Sequence, residues 1–240
     1  MAPPRPAALL LVGSEILRGA VADANTQWLG RFLRARGSEL MRVEVVHDEI
    51  GEVADAARRL SAAVGASGLV FTSGGIGPTH DDVTYEALAK AYGREMRVHE
   101  PTVERMRPFY EAKGQELNAA RLRMATLPHP CEAWHDSGAW VPLVRVENVH
   151  VLPGIPRLFR SLLEAHEGRF RGDGGAVPHT RTLLTREGEG DFAARLAAVA
   201  ARHPSVAVGS YPNVQSFGDP DAPWAARLSF DGPDAAAVEA

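Results

Sequence analysis

This sequence predicts an α/β protein built on a mostly parallel sheet, with a small α+β appendage at its C-terminal end. Three observations carry the prediction. Short apolar runs alternate with stretches of helical apolar spacing over roughly the first 170 residues, three of those runs end at small or acidic residues, and a glycine-rich stretch sets off a tail ordered strand, helix, strand, strand. Strands joined by helices pair in parallel through right-handed crossovers, and ligands of such sheets bind beyond the carboxyl ends of the strands.

Taken in order, Ala7 to Val12 is apolar throughout, as a strand covered on both faces should be, and Gly13 ends it. From Asp23 to Arg36 the residues Trp28, Leu29, Phe32 and Leu33 recur at helical spacing, with Asp23 or Asn25 as cap and Gly37 as stop. Leu40 to Val46 is a second strand. Ile50, Val53, Ala54, Ala57, Leu60 and Val64 mark the next helix, stopped by Gly65, and Leu69 to Phe71 is a third strand whose helix runs to about Tyr92. Thr102 to Lys113 and Asn118 to Ala125 read as helical, and Leu127 to Pro142 as a turn-rich excursion carrying Trp134 and Trp140. Val149 to Leu152 is a buried strand that enters the rigid turn Pro153-Gly154-Ile155-Pro156, and a helix follows from Arg157 to Glu167. The domains expected are 7–170, a Gly-rich linker at 171–178 and a subdomain at 179–240. In the last, His179 to Thr185, Val206 to Ser210 and Ala225 to Phe230 read as strands and Gly190 to Arg202 as a helix. Asp234 to Ala240 read as the start of a final helix, so this subdomain is expected to be truncated or frayed at its end.

With 240 residues, 45% of them hydrophobic, the chain can fill a proper core. A formal charge of −4, with Lys90 and Lys113 the only lysines, argues against a nucleic-acid partner. The single cysteine, Cys131, excludes an internal disulfide framework and fits a reducing compartment. The run Leu9 to Val12 is too short for a signal peptide or a membrane span, so the expectation is a cytoplasmic protein with no membrane partner. None of the nine histidines pairs with another His or Cys at zinc-ligand spacing.

The densest chemistry lies in residues 70–84. An apolar strand end leads into Gly74, Gly75 and Gly77, then Pro78, then the adjacent carboxylates Asp81 and Asp82 at a helix start. Glycines there would permit positive φ and let a ligand approach the backbone. The amides of such a strand–loop–helix unit hold anions, and the paired carboxylates suit a hard divalent metal. A bare tight turn with an Asp cap is the plainer alternative. The loop is neither a Walker A motif, since no Gly-Lys-Ser/Thr follows, nor the Gly-x-Gly-x-x-Gly dinucleotide fingerprint. Gly13 to Glu15, His47 to Glu49 and Ser73 to Thr79 all follow strands, so three segments should converge on one rim. Glu15 and Asp48 there are candidate catalytic carboxylates or, alternatively, caps of the helix after each one's strand. His80, beside the aspartates, is as readily a solvent-facing loop residue as a functional one.

These residues resemble a known family. Gly13-Ser14-Glu15-Ile16-Leu17, Asp23-x-Asn25-Thr26, Val46-x-Asp48-Glu49, the run Gly74 to Thr79 with Asp81, Asp82 and Thr84, and Leu152-Pro153-Gly154-Ile155-Pro156 look like the molybdopterin-binding-like domain. That domain is shared by MoaB/MogA proteins, the N-terminal half of CinA and the N-terminal half of eukaryotic-type FAD synthase. Ser14-Glu15, Ile76 and His80 look nearest the FAD synthase version, and Asn118 to Pro128 and Gly209-Ser210-Tyr211-Pro212 extend the likeness. The resemblance implies a three-layer α/β/α fold with the ligand at the glycine-rich rim. The ligand-contacting residues it implies are Gly13, Ser14, Asn25, Thr72, Ser73, Gly74, Gly75, Ile76, Gly77, Pro78, Thr79, Thr84, Pro153, Gly154 and Pro156.

The activity implied is metal-dependent hydrolysis of a nucleotide pyrophosphate of the FAD or ADP-ribose class. Asp81 or Asp82 would hold Mg²⁺, Mn²⁺, Co²⁺ or Ni²⁺, and the other aspartate, Glu15 or Asp48 would activate water. The alternatives are binding or adenylylation of molybdopterin, and a nucleotide-sensing module without turnover. Relatives commonly form dimers or trimers, so a homo-oligomer is expected. Two departures stand out: Ser14 sits where CinA proteins usually carry Asp, and Arg157 where relatives often place Glu. Neither the CinA deamidase half nor the FAD synthase adenylyltransferase half lies in these residues, so they are not expected to make FAD or deamidate a nucleotide by themselves.

Overall fold

The computed structural model describes residues 3–172, 177–216, 219 and 221–240. Part of the predicted linker, residues 173–176, lies outside the described residues. The chain divides into two compact units, Pro3–Gly175 and Ala176 onward.

In the larger unit the elements run β1 (Arg5–Val12), α1 (Ser14–Leu17), α2 (Asn25–Arg34), β2 (Ser38–Val46), α3 (Ile50–Val64), β3 (Leu69–Ser73) and α4 (Thr84–Tyr92). There follow β4 (Glu95–Val98), α5 (Glu100–Glu111), α6 (Ala119–Arg123), β5 (Thr126–His129), β6 (Glu132–Trp134), β7 (Leu143–Val146), β8 (Val149–Leu152) and α7 (Pro156–Ala165). One sheet has the order β2-β1-β3-β8-β7-β6. Its first four strands are parallel and the last two turn antiparallel, so the sheet is largely parallel as predicted. Residues 7–12 of β1 and all of β3 and β8 are buried, which requires cover on both faces. Helices α2 and α7 meet through Trp28 and Phe159, with ring centroids 6.2 Å apart, while α3 packs along α4.

His150, in the middle of β8, is the one fully buried imidazole of the central strands, set among Phe71, Trp134 and Phe170. Burial pulls its pKa down to about 3, against a weak hydrogen bond between Nδ1 and the Val70 carbonyl at 3.2 Å. It is therefore neutral at physiological pH and works as an aromatic core residue.

The middle of the chain differs most from expectation. The stretch 127–142, read as a turn-rich excursion, contains β6 and most of β5, and β5 pairs with β4, a strand not anticipated. Strands of three or four residues that lack the continuous apolar run of β8 carry too little alternation to be seen in sequence. Helix α6 is shorter than its predicted span, capped by the Asn118 side chain accepting from the Arg121 amide at 3.0 Å. With α5 it encloses a second small core of Val103, Met106, Tyr110, Met124 and Ala125.

The smaller unit contains β9 (His179–Thr185), α8 (Glu189–Arg202), β10 (Ala207–Pro212), β11 (Ala226–Gly232) and α9 (Ala235–Glu239). Its antiparallel sheet has the order β10-β11-β9, and every residue of β9 before Thr185 is exposed. No helix among the described residues is long and apolar enough to cross a membrane.

Candidate functional site

The carboxyl ends of β1, β2, β3 and β8 are tied to one another. The Gly13 amide donates to Val46 O (3.2 Å) and the Gly74 amide to Leu152 O (3.1 Å), which joins β1 to β2 and β3 to β8 at the rim. Asp48 Oδ2 accepts from the Ser14 amide at 2.8 Å, and Ser14 Oγ accepts from the Asp48 amide at 3.4 Å. Asp48 thus caps the turn after β1, and not the helix after its own strand, which was the capping role read for it beside the catalytic one. Glu15 makes no capping hydrogen bond; its carboxylate folds back over Gly13, where a Cβ would stand 2.6 Å from Glu15 Oε1.

The glycine loop is packed against its own scaffold. Gly74 and Gly75 adopt φ of 107° and 66°, which an L side chain avoids. A Cβ on Gly74 would lie 2.2 Å from Val12 O, and one on Gly75 2.3 Å from Thr84 Oγ1. Thr84 fastens the loop from below: its hydroxyl donates to Gly74 O and its amide to Gly75 O, both at 2.9 Å. Gly74 and Gly75 thus take the positive φ expected of them, and the chain's own close approach is by itself enough to require both glycines. Gly77 does not adopt the positive φ expected of it; a Cβ there would meet Asp82 Oδ2 at 2.6 Å.

Asp81 and Asp82 precede α4, in the turn that closes the loop. Asp82 Oδ2 accepts from the Thr79 amide (2.8 Å) and hydroxyl (2.6 Å), so the Thr79 amide is already engaged within the turn. By contrast, the amides of Gly75, Ile76 and Gly77 have no acceptor among the described residues. Asp81 is exposed. The Thr79 hydroxyl, shared with Asp82, then its own backbone amide, and to a lesser degree His80, hold its carboxyl below the usual range, so it is anionic at neutral pH.

Asn25 is 3% exposed at the start of α2. Its Nδ2 donates to Ser73 Oγ (2.9 Å) and Gly154 O (3.0 Å), linking α2, β3 and the turn after β8, while Oδ1 has no partner. The N-cap of α2 is Ala24, neither of the two residues expected; Asp23, just before it, accepts from the Asn25 amide at 2.8 Å and from the Thr26 amide at 3.2 Å.

These parts surround one cavity of about 770 Å³. Of the residues expected at the site, Glu15, Asn25, Asp48, Ser73, the loop from Gly74 to Thr79, Asp81, Asp82, Pro153, Gly154 and Pro156 line it. Gly13, Ser14, Thr72 and Thr84 do not: Thr72 and Thr84 are fully buried behind it, and Ser14 is occupied by Asp48. His80 is exposed and outside the lining. The sequence reading missed a second wall, formed by Phe109, Met124, Ala139, Trp140 and Val141. The signal that could have found it was Trp140, a large aromatic in a turn-rich stretch that otherwise needs none.

Among the described residues no group of three or more His, Cys, Asp and Glu side chains stands together as a metal cage. The donors do fit a hard cation of the Mg²⁺ type, which keeps most of its waters and takes one or two carboxylates plus substrate phosphates. Asp81, anionic and exposed, and Asp82, with one oxygen committed to Thr79, are such a pair.

Residues 8–168 match the family model described as "Probable molybdopterin binding domain", and residues 178–240 match "FAD synthase, middle domain". A "Probable FAD synthase" of Caenorhabditis elegans is 34% identical over 232 residues, 88% of this chain and 44% of the relative. The chain thus spans less than half the length of that curated relative. A protein of Aeropyrum pernix is 32% identical across 88% of this chain and 81% of its own length. Among solved structures, the protein CinA of Thermoplasma acidophilum, titled as of unknown function, is 33% identical with a TM-score of 0.62, covering 70% of this chain and 99% of its own.

Proposed function

The chain belongs to the molybdopterin-binding domain family that takes in CinA and FAD synthase relatives, and from that premise we propose that its larger unit hydrolyses a nucleotide diphosphate of the FAD or ADP-ribose class. The observation that carries this reading is three successive loop amides, Gly75, Ile76 and Gly77, left without acceptors in a cavity also lined by Glu15, Asp48, Asp81 and Asp82. Amides without partners call for an anion, and carboxylates beside an anion call for a cation or a proton to be moved.

In this scheme the three amides hold the diphosphate oxygens. Asp81 and Asp82 are the residues that would hold a divalent cation, which supplies neutralisation of charge on those oxygens. Glu15, exposed at the rim and free of capping duty, accepts the proton of the attacking water; Asp48 is bound to the Ser14 amide and has less freedom to do so. The water oxygen bonds to one phosphorus, the bond from that phosphorus to the bridging oxygen breaks, and two phosphate monoesters leave. The unpartnered Asn25 Oδ1 is an acceptor for a hydroxyl or N–H of the ligand, a neutral contact beside the charged ones.

The test is incubation with FAD or ADP-ribose and Mg²⁺, Mn²⁺, Co²⁺ or Ni²⁺, with products separated by chromatography. AMP with FMN, or AMP with ribose 5-phosphate, is the expected yield. Intact substrate with every metal, alongside tight binding by calorimetry, would leave a sensing module instead. An adenylylated pterin formed from ATP and molybdopterin would move the reaction to a different acceptor.

A further inference from the structure

The polar half of the cavity leaves most of its wall unexplained. A volume of about 770 Å³ falls in the range of about 300–1,000 Å³ that suits a whole drug-sized ligand, well beyond what a diphosphate fills. The remaining lining includes Phe109 from α5, Met124 just after α6, and Trp140 with Val141. We infer that Phe109 and Trp140 form a stacking subsite for the fused heteroaromatic ring of the ligand whose diphosphate lies on the glycine loop. The inference rests on the proposed function for the phosphate end alone.

Four observations carry it. Phe109 is 38% exposed on the flank of the buried stripe of α5, where a helix ordinarily carries a polar side chain. The Phe109 and Trp140 rings stand 6.0 Å apart at 49° as a tilted pair, and Lys113 Nζ lies 4.0 Å from the Phe109 ring centroid, a flexible cation that a stacking ring would displace. Trp140 is seated against both hydrophobic cores of the larger unit, which fixes it as a wall. The wall is also joined to the loop: Arg123 Nη2, at the end of α6, donates to the Asp82 main-chain oxygen at 3.3 Å. Ring-binding and phosphate-binding parts therefore belong to one connected surface.

The chemistry of the wall defines its preference. Among the side chains of Phe109, Met124, Trp140 and Val141, the indole N–H is the one hydrogen-bonding group, so contact is by face and by area. Stacking of this kind tolerates different bases. The subsite should grade ligands by ring size, a flavin above a purine, and discriminate little between purines of different edge pattern.

The experiment separates this subsite from the hydrolysis itself. Calorimetric titrations use the methylene analogue of ADP-ribose, whose bridging carbon cannot be hydrolysed, and methylenediphosphonate as the probe without a ring, both with Mg²⁺. Phe109→Ala and Trp140→Ala are expected to weaken the nucleotide analogue about 5- to 100-fold while leaving methylenediphosphonate affinity unchanged, and Trp140→Phe to retain most of it. Thermal unfolding of each variant controls for folding, and Phe109→Ala, the more exposed position, decides the matter should Trp140→Ala unfold. Equal loss for both probes, no loss for the nucleotide analogue, or a parent protein that binds no nucleotide analogue overturns the inference. Absence of turnover with selective loss intact would overturn only the hydrolytic reading.

Discussion

The polar side of the cavity is assembled from four strand ends and the start of α2, most of its residues sitting beside one another in sequence, whereas the apolar side is gathered from α5, the end of α6 and the segment around Trp140. On the polar side local geometry is over-determined: positive φ, an absent Cβ and the two Thr84 hydrogen bonds all fix the same loop. On the apolar side nothing local is special, and the surface exists because a second small core holds it up. Loop chemistry can thus be tuned residue by residue, while the wall responds to anything that loosens the packing beneath it.

The sharpest way to break the polar side is Gly74→Ala. With φ at 107° and a Cβ 2.2 Å from Val12 O, strain and clash together should cost about 3 kcal/mol or more, read as a lower urea midpoint, with nucleotide binding lost. Retained stability would mean the loop is not held as described. Asp82→Ala removes the acceptor for the Thr79 amide and hydroxyl together with one cation ligand. Hydrolysis of FAD or ADP-ribose should fall by two to three decades, about 3 to 4 kcal/mol in the barrier, and a variant as fast as the parent would remove Asp82 from the reaction.

Acid probes the sheet beneath both sides. His150 has a folded-state pKa near 3, below its unfolded value of about 6.5, so between those values the unfolded chain holds the extra proton. Stability should therefore fall as pH drops through that window, by about 1.4 kcal/mol per pH unit, or about 2 kcal/mol from neutral to pH 5. Burial lowers His99, His135 and His166 in the same direction, so they add to the trend. Urea titrations at pH 7 and 5 measure it, and His150→Phe should flatten part of the slope; an unchanged slope would show that His150 contributes nothing to it. The smallest change addresses the wall alone: Asn118→Ala removes the α6 cap, costing about 1 kcal/mol. Nucleotide affinity should weaken severalfold with methylenediphosphonate binding unaltered, and loss of both would deny the separation of the two sides.

The same contrast explains what could be read in advance. Strands β1, β3 and β8 were visible because strands buried on both faces read as continuous apolar runs, and α2 and α3 because their apolar stripes are long. Strands β4 to β7 are three or four residues each: β5 and β6 fall largely in the stretch read as turn-rich, and β4 and β7 in residues where no element was read. At the rim, the type of residue was legible but its partner was not. Nothing in the sequence says that Asp48 reaches Ser14 across two strands, or that both donors of the Asn25 amide are taken by Ser73 and Gly154.

By itself the sequence determined the alternation of strand and helix, the glycine loop and the carboxylates beside it, because backbone preference and burial periodicity act over a few residues. Only the tertiary structure decided which loop amides stay free, which threonines stand behind the cavity, and that Phe109 and Trp140 face the same space as Asp82. Those outcomes depend on contacts between residues far apart in the chain, which no local propensity encodes.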